Sequence, residues 1–246
     1  MSEVLVSVII PVYNEFRTFN QVLERVRKAP LPEGCTKEII VIDDGSTDGT
    51  TQIVDGQVRA GIVRGHYSAR NAGKGAAIRI GIALSSGDII LIQDGDLEYD
   101  PNDYRRLVEP IVNGDADVVY GSRFLGGPHR IHLFWHYVGN KLLTLLSDMV
   151  TNLNLSDVWT CYKALRRDVI LGLNLKENRF GFEQEITIKI ARGGWSVYET
   201  PISYYGRTYA EGKKITWKDG ARALWCIVRY GFFSGPDRSP RPPETE

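Results

Sequence analysis

Strand-like apolar runs alternate with helical segments through the first half of the chain, and this alternation limits the fold more than any other feature. Residues Val4 to Val12 are almost all β-branched or aliphatic, which is typical of a strand buried on both faces of a parallel sheet. The segment from Arg17 to Lys28 then places apolar residues at helical spacing. The pattern predicts an α/β fold with a mostly parallel central sheet flanked by helices. Further strands are predicted at residues 38–42, 61–66, 88–92 and 116–120, and further helices at 47–58, 71–84 and 101–112.

The second half of the chain has a less regular pattern. A loop rich in glycine and proline begins at Gly126. Helices are predicted at residues 134–150 and 183–191, and strands at 158–165 and 196–205. The sequence contains no internal repeat or linker that would divide it, so we predict one domain over residues 1–233. Residues 234–246 are rich in proline and charge, which predicts a disordered tail.

The charge balance and the cysteine pattern exclude several classes of protein. Thirty Lys and Arg residues match thirty Asp and Glu residues, whereas nucleic-acid binders usually carry a basic excess. The three cysteines are far apart in sequence, which favours a reducing compartment over a disulfide scaffold or a zinc site. The sequence shows neither a signal peptide nor an uncharged apolar run of about twenty residues. We therefore expect a cytoplasmic protein, peripheral on the cytoplasmic face of a membrane if it contacts one, that binds no nucleic acid.

Asp94 and Asp96 follow directly after the predicted strand at residues 88–92. Two carboxylates separated by one glycine offer the oxygen ligands that Mg²⁺ or Mn²⁺ prefers, commonly together with substrate phosphates. The alternative is an acidic turn before a helix that starts at Asp100-Pro101. Two more polar segments, residues 11–15 and 43–50, follow the first and second strands. Because ligands of open α/β sheets bind outside the carboxyl ends of the strands, the three segments together indicate a nucleotide and metal site.

A glycine-rich turn with one lysine precedes the third predicted helix, in the order Asn71-Ala72-Gly73-Lys74-Gly75. Backbone amides and a lysine at a helix N-terminus can bind phosphate. The alternative is a tight turn with a solvated lysine. The turn is not a P-loop, because Lys74 is followed by Gly75 and Ala76, without the Ser or Thr that holds magnesium in that motif.

The order of these motifs resembles the family-2 glycosyltransferases, and within them the dolichol- and polyprenyl-phosphate sugar synthases. The motifs are P-V-Y-N-E, I-D-D-G-S-T-D-G-T, N-A-G-K-G-A-A, Q-D-G-D-L-E-Y-D-P and G-S-R-F, and the resemblance runs from about Val4 to Tyr230. It implies a GT-A (Rossmann-like) fold, a nucleotide-diphosphate sugar donor, a Mg²⁺ or Mn²⁺ cofactor and inversion at the anomeric carbon. It also implies a polyprenyl or dolichyl phosphate acceptor.

The resemblance assigns roles to individual positions. Metal ligands are expected at Asp94, Asp96 and Glu98. Contacts to the donor are expected at Pro11, Tyr13, Glu15, Ile42, Asp44, Lys74, Asp94, Gly95, Arg207 and Lys213.

Three of the assigned positions are expected to be catalytic, namely Asp96, Arg123 and Asp157. Arg123 and Arg130 are expected at the acceptor phosphate, since the planar guanidinium binds phosphate oxygens through two bonds. Asp157 would serve as a general base only for a hydroxyl acceptor, because a phosphate is already anionic near neutral pH. Glu183 and Glu185 are interpreted as structural residues near a helix N-terminus.

Residues 216–233 predict an amphipathic helix. One apolar stripe contains Trp217, Ala221, Leu224, Trp225, Val228 and Phe232, and the other side carries Lys218, Arg222 and Arg229. The pattern indicates either a helix at a membrane interface or an ordinary helix packed on the sheet. With the resemblance, the sequence predicts a hexosyltransferase that uses a lipid phosphate. A family-2 enzyme with a glycan hydroxyl acceptor, a sugar-nucleotide nucleotidyltransferase and an inactive binding module remain alternatives.

Overall fold

The computed structural model describes residues 3–126, 130, 134–207 and 217–234. Strands and helices alternate as the sequence predicts, but the helix at Arg167–Gly172 was not predicted, and the strand predicted at 158–165 begins only at Lys163. The strands are β1 (Val4–Val12), β2 (Cys35–Asp43), β3 (Arg64–Tyr67), β4 (Ile89–Ile92), β5 (Val118–Ser122), β6 (Lys163–Arg166) and β7 (Val197–Pro201). The helices are α1 (Phe19–Lys28), α2 (Thr50–Arg59), α3 (Lys74–Leu84), α4 (Tyr104–Val112), α5 (Phe134–Thr151), α6 (Arg167–Gly172), α7 (Phe182–Gly193) and α8 (Trp217–Phe232).

The seven strands form one sheet in the order β3-β2-β1-β4-β6-β5-β7. β1 pairs in parallel with β2 and β4, and β5 pairs in parallel with β7. β6 is antiparallel to both of its neighbours, β4 and β5. The predicted α/β class and the mostly parallel sheet are confirmed.

The apolar runs lie in the core as their pattern predicts. Val6, Val8, Ile9 and Ile10 of β1 are fully buried, as is nearly all of β4. Helix α1 buries its predicted stripe of Phe19, Val22, Leu23 and Val26 against the sheet. Burial on both faces explains why these strands are continuously apolar instead of alternating.

The polar segments that follow β1, β2 and β4 lie at one edge of the sheet. Val12 at the end of β1 is opposite Asp43 at the end of β2, and Ile9 is opposite Ile92 at the end of β4. Strand order reverses at β1, with β2 on one side and β4 on the other. Such a switch point opens a crevice at the carboxyl ends of the strands, which is where α/β proteins bind ligands.

Helices α5 and α8 pack against each other through a small apolar cluster of Leu143, Ala223 and Ile227. α8 also buries Cys226 and Tyr230 beside Ile188 of α7. Within the described residues, no helix is both long and apolar enough to span a bilayer.

Two parts of the C-terminal prediction have different outcomes. The helix predicted at residues 216–233 is present as α8. Residues 235–246 of the predicted tail lie outside the described residues. The assignment of residues 1–233 to one domain stays a prediction.

Candidate active site

A cleft of about 940 Å³ lies at the carboxyl ends of β1, β2 and β4. The lining beside the strand ends is charged and includes Asp94, Asp96 and Lys74; we call this region the charged end. The lining from α5 and the loop after it includes the aromatic side chains of Trp135 and Trp159; we call this region the aromatic end. The cleft therefore offers a charged region and an apolar region within one space.

At the charged end, carboxylates are paired with two basic side chains. Lys74 Nζ lies 2.8 Å from Asp94 Oδ1. Arg207 forms an ion pair with Asp96 and lies 3.4 Å from Glu15 and 3.5 Å from Glu98. Among the described residues, the carboxylates of Asp94, Asp96 and Glu98 lie close together beside Lys74 and Arg207, and such a concentration of carboxylates favours binding of a further cation.

The neighbouring carboxylates also affect the pKa of Asp96. Burial, followed by the charges of Asp94 and Glu98, raises the pKa of Asp96 to about 7, against the opposing effect of Arg207. A divalent cation at this point would stabilise the ionised carboxylate.

The residues present fit a cation that is completed by the substrate. In the part of the chain that the structure describes, no three His, Cys, Asp or Glu side chains form a group that could hold a metal alone. Mg²⁺ characteristically takes only one or two carboxylates and fills its other positions with water and substrate phosphates. Asp94 and Asp96 are the pair that suits this arrangement. Glu98 accepts hydrogen bonds from the Arg207 amide at 2.7 Å and the Tyr204 hydroxyl at 2.8 Å, and its role as a third ligand stays a prediction.

The glycine-rich turn is held by Asp44 and by a neighbouring loop. Asp44 accepts hydrogen bonds from the amides of Ala72 and Gly73 at 2.9 and 2.7 Å. A Cβ on Gly73 would collide with the Asn178 carbonyl, and its φ of +106° favours glycine. The amides of Ala72 and Gly73 therefore already donate to Asp44, and this geometry does not favour phosphate binding by these two amides. Asp44 still lines the cleft.

Of the other residues expected at the donor, most line the cleft, one is buried in the core and one lies outside the described residues. Pro11, Tyr13, Glu15, Gly95, Lys74 and Arg207 line the cleft. Ile42 is fully buried in β2 and packs in the core, so its side chain does not suit a donor contact. Lys213 lies outside the described residues. A Cβ on Gly95 would lie 2.7 Å from Val12 Cγ1, which explains the need for glycine at this position.

Arg123 and Asp157 form a buried ion pair in the cleft wall. Arg123 donates from Nε and Nη2 to the two oxygens of Asp157 at 2.6 and 2.8 Å, and also to the Trp159 carbonyl. Asn140 donates to Asp157 as well, at 3.1 Å. Burial alone would raise the pKa of Asp157, but the Arg123 charge and these hydrogen bonds hold it below its ordinary value.

This geometry limits what both side chains can do, and their expected catalytic roles stay predictions. A general base needs an accessible oxygen and a pKa near the working pH, and the fully buried Asp157 has neither. Arg123 lines the cleft, but two of its three nitrogens are already bound, so it does not suit a two-bond contact to phosphate. Arg130 is exposed, and it donates to the Tyr204 and Gly206 carbonyls.

A comparison of the sequence with known families gives one extended match. Residues 7–172 match the family described as "Glycosyl transferase family 2". The chain belongs to glycosyl transferase family 2. The predicted family is therefore confirmed, and the protein is a glycosyltransferase.

Several curated relatives are about 30% identical to this family-2 glycosyltransferase. It is 30% identical over 242 residues to polyprenol monophosphomannose synthase of Mycolicibacterium smegmatis, covering 94% of this chain and 89% of the relative. It is 31% identical to dolichol-phosphate mannosyltransferase of Pyrococcus furiosus, covering 85% of this chain but only 58% of the relative. It is also 31% identical to undecaprenyl-phosphate 4-deoxy-4-formamido-L-arabinose transferase of Aeromonas hydrophila, covering 85% of this chain and 62% of the relative.

Solved structures share the fold of the family-2 chain. Glucosyl-3-phosphoglycerate synthase of Mycobacterium tuberculosis, crystallised with Mn²⁺, UDP and glucosyl-3-phosphoglycerate, superposes with a TM-score of 0.72 at 21% identity. The match covers 94% of this chain and 81% of that one. The predicted GT-A fold is confirmed.

Sequence reasoning missed several residues that the family-2 fold brings to the cleft. Asn140 and Trp159 line its wall, and Tyr204 lines it beside Glu98. Behind Lys74, Lys163 forms a buried ion pair with Glu183, which the sequence indicated only as a structural residue near a helix N-terminus. No local motif marks these positions, because their significance depends on partners that are distant in sequence.

Proposed function

We propose that this glycosyltransferase transfers a hexose from a nucleotide-diphosphate sugar, of the GDP-mannose or UDP-glucose type, to a polyprenyl or dolichyl phosphate. The observation that carries the proposal is the single cleft with one charged and one aromatic end. A donor diphosphate suits the charged end, and the first isoprene units of a lipid suit the aromatic end. The names of relatives, such as polyprenol monophosphomannose synthase, support this acceptor class.

The reaction would proceed by direct displacement with inversion at the anomeric carbon. An oxygen of the acceptor phosphate attacks that carbon, and the bond to the nucleoside diphosphate breaks with its electron pair leaving on the diphosphate. Because the attacking phosphate is anionic near neutral pH, no side chain has to remove a proton, which agrees with the fully engaged Asp157. Arg207 and Lys74 would stabilise the departing charge electrostatically. When bound at Asp94 and Asp96, Mg²⁺ or Mn²⁺ would supply Lewis-acid stabilisation of the same diphosphate.

We further propose that the outer faces of α5 and α8 rest on a membrane surface. α5 exposes Trp135, Val138, Leu142, Leu145 and Met149, which are spaced as one helical stripe. Trp135 is 78% and Met149 73% exposed, and apolar side chains in such a continuous band mark an interaction surface.

The stripe predicted on α8 is exposed as well. The described side chains of the stripe are exposed, namely Ala221, Leu224, Trp225, Val228 and Phe232. The helix packs against the protein through other side chains, namely Ala223, Cys226, Ile227 and Tyr230. The exposure of this stripe supports the interfacial alternative, although α8 also packs on α5 and α7 through its other residues. Lys218, Arg222 and Arg229 are exposed on the same helix. Basic residues beside an exposed apolar stripe suit the cytoplasmic, anionic face of a bilayer.

An acceptor comparison tests the proposed reaction. A panel of nucleotide sugars is incubated with polyprenyl phosphate or with the matching polyprenol, each with Mn²⁺, with Mg²⁺ or with a chelator. We expect transfer to the phosphate only, and only with the cation present. Transfer to polyprenol or to a glycan hydroxyl at a similar rate would contradict the lipid-phosphate assignment.

Vesicle sedimentation tests the surface. Replacing Trp225 and Phe232 by serine should reduce binding to vesicles that contain anionic phospholipid. Tyr198→Ser is the matched control, because Tyr198 is an exposed aromatic residue on the edge strand β7. Equal binding of wild type and the double variant would contradict the proposed membrane face.

A hydroxyl acceptor is the second function to consider. It would require a general base, and Asp157 does not fit that role. The nucleotidyltransferase alternative is disfavoured by the family membership of residues 7–172.

A further inference from the structure

A buried ion pair lies directly behind the charged end of the cleft. Lys163 of β6 is fully buried and contacts Glu183, in the first turn of α7. The Lys163 ammonium also donates to the Thr160 and Val158 carbonyls. Its three hydrogen-bond donors are therefore all used inside the protein.

The pair is continued toward the cleft by two further charges. Glu183 Oε1 lies 3.4 Å from Lys74 Nζ, and the same ammonium lies 2.8 Å from Asp94 Oδ1. The charges thus alternate from Lys163 through Glu183 and Lys74 to Asp94. Side-chain exposure increases along this row from 0% at Lys163 to 21% at Asp94.

The order of the charges determines where the Lys74 ammonium is held. A lysine ammonium sits on a flexible stem and needs more than one partner to keep a single position. Glu183 provides the second partner on the side away from the cleft. Lys163 neutralises Glu183, so the charge of Lys74 remains available to Asp94. Without Lys163, Glu183 would be a buried carboxylate with a single counter-ion and would draw Lys74 away from the cleft.

We propose that Lys163 and Glu183 are positioning residues that hold Lys74 against Asp94 and thereby fix this carboxylate for the cation and donor diphosphate. The inference rests on the proposed function for its cation and its diphosphate. The sequence context of Glu183 indicates only a structural role, and the proposal adds a positioning role.

The test removes the pair without leaving a buried charge. In Lys163→Met/Glu183→Gln both charges are lost together, and such replacements are often neutral for stability. The melting temperature should therefore stay close to that of wild type. The dissociation constant for Mn²⁺ alone, measured by calorimetry, should rise by about tenfold or more, as for other partners of metal ligands. The acetylation rate of Lys74 by limiting acetic anhydride, followed by peptide mass spectrometry, should rise several-fold.

Asp117→Asn/Arg166→Met is the control. Asp117, directly before β5, and Arg166, at the end of β6, form an ion pair 3.0 Å apart, and neither residue lines the cleft. This variant should leave both Mn²⁺ affinity and Lys74 acetylation at the wild-type level. Glu183→Asp, which keeps the charge but withdraws the carboxylate from Lys74, replaces the double variant if that protein does not fold.

The outcomes separate this proposal from the proposed function. Unchanged Mn²⁺ affinity and unchanged acetylation in a folded variant would overturn the positioning role, as would equal changes in the control. Absence of Mn²⁺ binding in wild type would instead count against the cation in the proposed function. In that case the acetylation rate of Lys74 alone decides whether Glu183 holds it.

Discussion

The Arg123–Asp157 pair gives the prediction that the structure defines most completely. Asp157→Asn removes the negative charge and turns one acceptor into an amide that faces the Arg123 donors. The Asp157 side chain is 0% exposed and that of Arg123 only 11%, so the guanidinium would remain buried without its counter-charge. Breaking a buried pair in this way costs about 3–5 kcal/mol.

We take the lower part of that range, because Arg123 borders the cleft and water can reach it when the pair is broken. A loss of about 3 kcal/mol in a chain of this size corresponds to roughly 6–12 °C in melting temperature. Differential scanning calorimetry measures this shift directly. Arg123→Gln and the double variant complete a double-mutant cycle, in which we expect a coupling free energy of about 2 kcal/mol or more.

The activity of the same variant distinguishes a positioning role from general-base catalysis. If Asp157 only holds Arg123 and the cleft wall, the residual activity of Asp157→Asn keeps the wild-type pH profile. A variant with unchanged melting temperature that has lost the acidic limb of its pH–rate profile would refute this reasoning. That result would restore Asp157 as a base and favour a hydroxyl acceptor.

Three further predictions concern single contacts. Gly73→Ala should destabilise the protein by about 2 kcal/mol or more in urea unfolding, because its positive φ and the Asn178 carbonyl leave no room for a Cβ. Gly95→Ala should lose stability, and Val12→Ala should restore part of it, since the new methyl would meet Val12 Cγ1. Burial would raise the pKa of Glu38, but its hydrogen bonds lower it to about 2. The wild type should therefore exceed Glu38→Gln in stability by about 1–2 kcal/mol above pH 5, with the difference shrinking as the pH falls toward 2; a constant difference would contradict this.

The apolar pattern predicted most of the fold because burial on both faces leaves a direct signature in composition. Val4–Val12 and Ile89–Ile92 could be recognised for that reason. The direction of β6 could not. Lys163–Arg166 is a short strand with a buried lysine, and its local sequence does not distinguish an antiparallel strand from a parallel one.

The site was predictable where it depends on strand ends, and unpredictable where it depends on long-range partners. Asp94 and Asp96 follow a buried strand, so their place at the sheet edge follows from the fold. Their partners do not follow from it. Arg207 is 111 residues from Asp96. The resemblance gave Asp157 a catalytic role but did not show that its carboxylate pairs with Arg123.

The central claim is that Asp96 acts at the donor diphosphate together with a divalent cation. Its most direct test is single-turnover transfer from a nucleotide sugar to polyprenyl phosphate by Asp96→Ala. Asp100→Asn is the control, because Asp100 caps the turn at Pro101–Asp103. We expect the Asp96 variant to lose transfer in the presence of Mn²⁺ and the control to keep it. Full transfer by a folded Asp96→Ala protein would contradict the account.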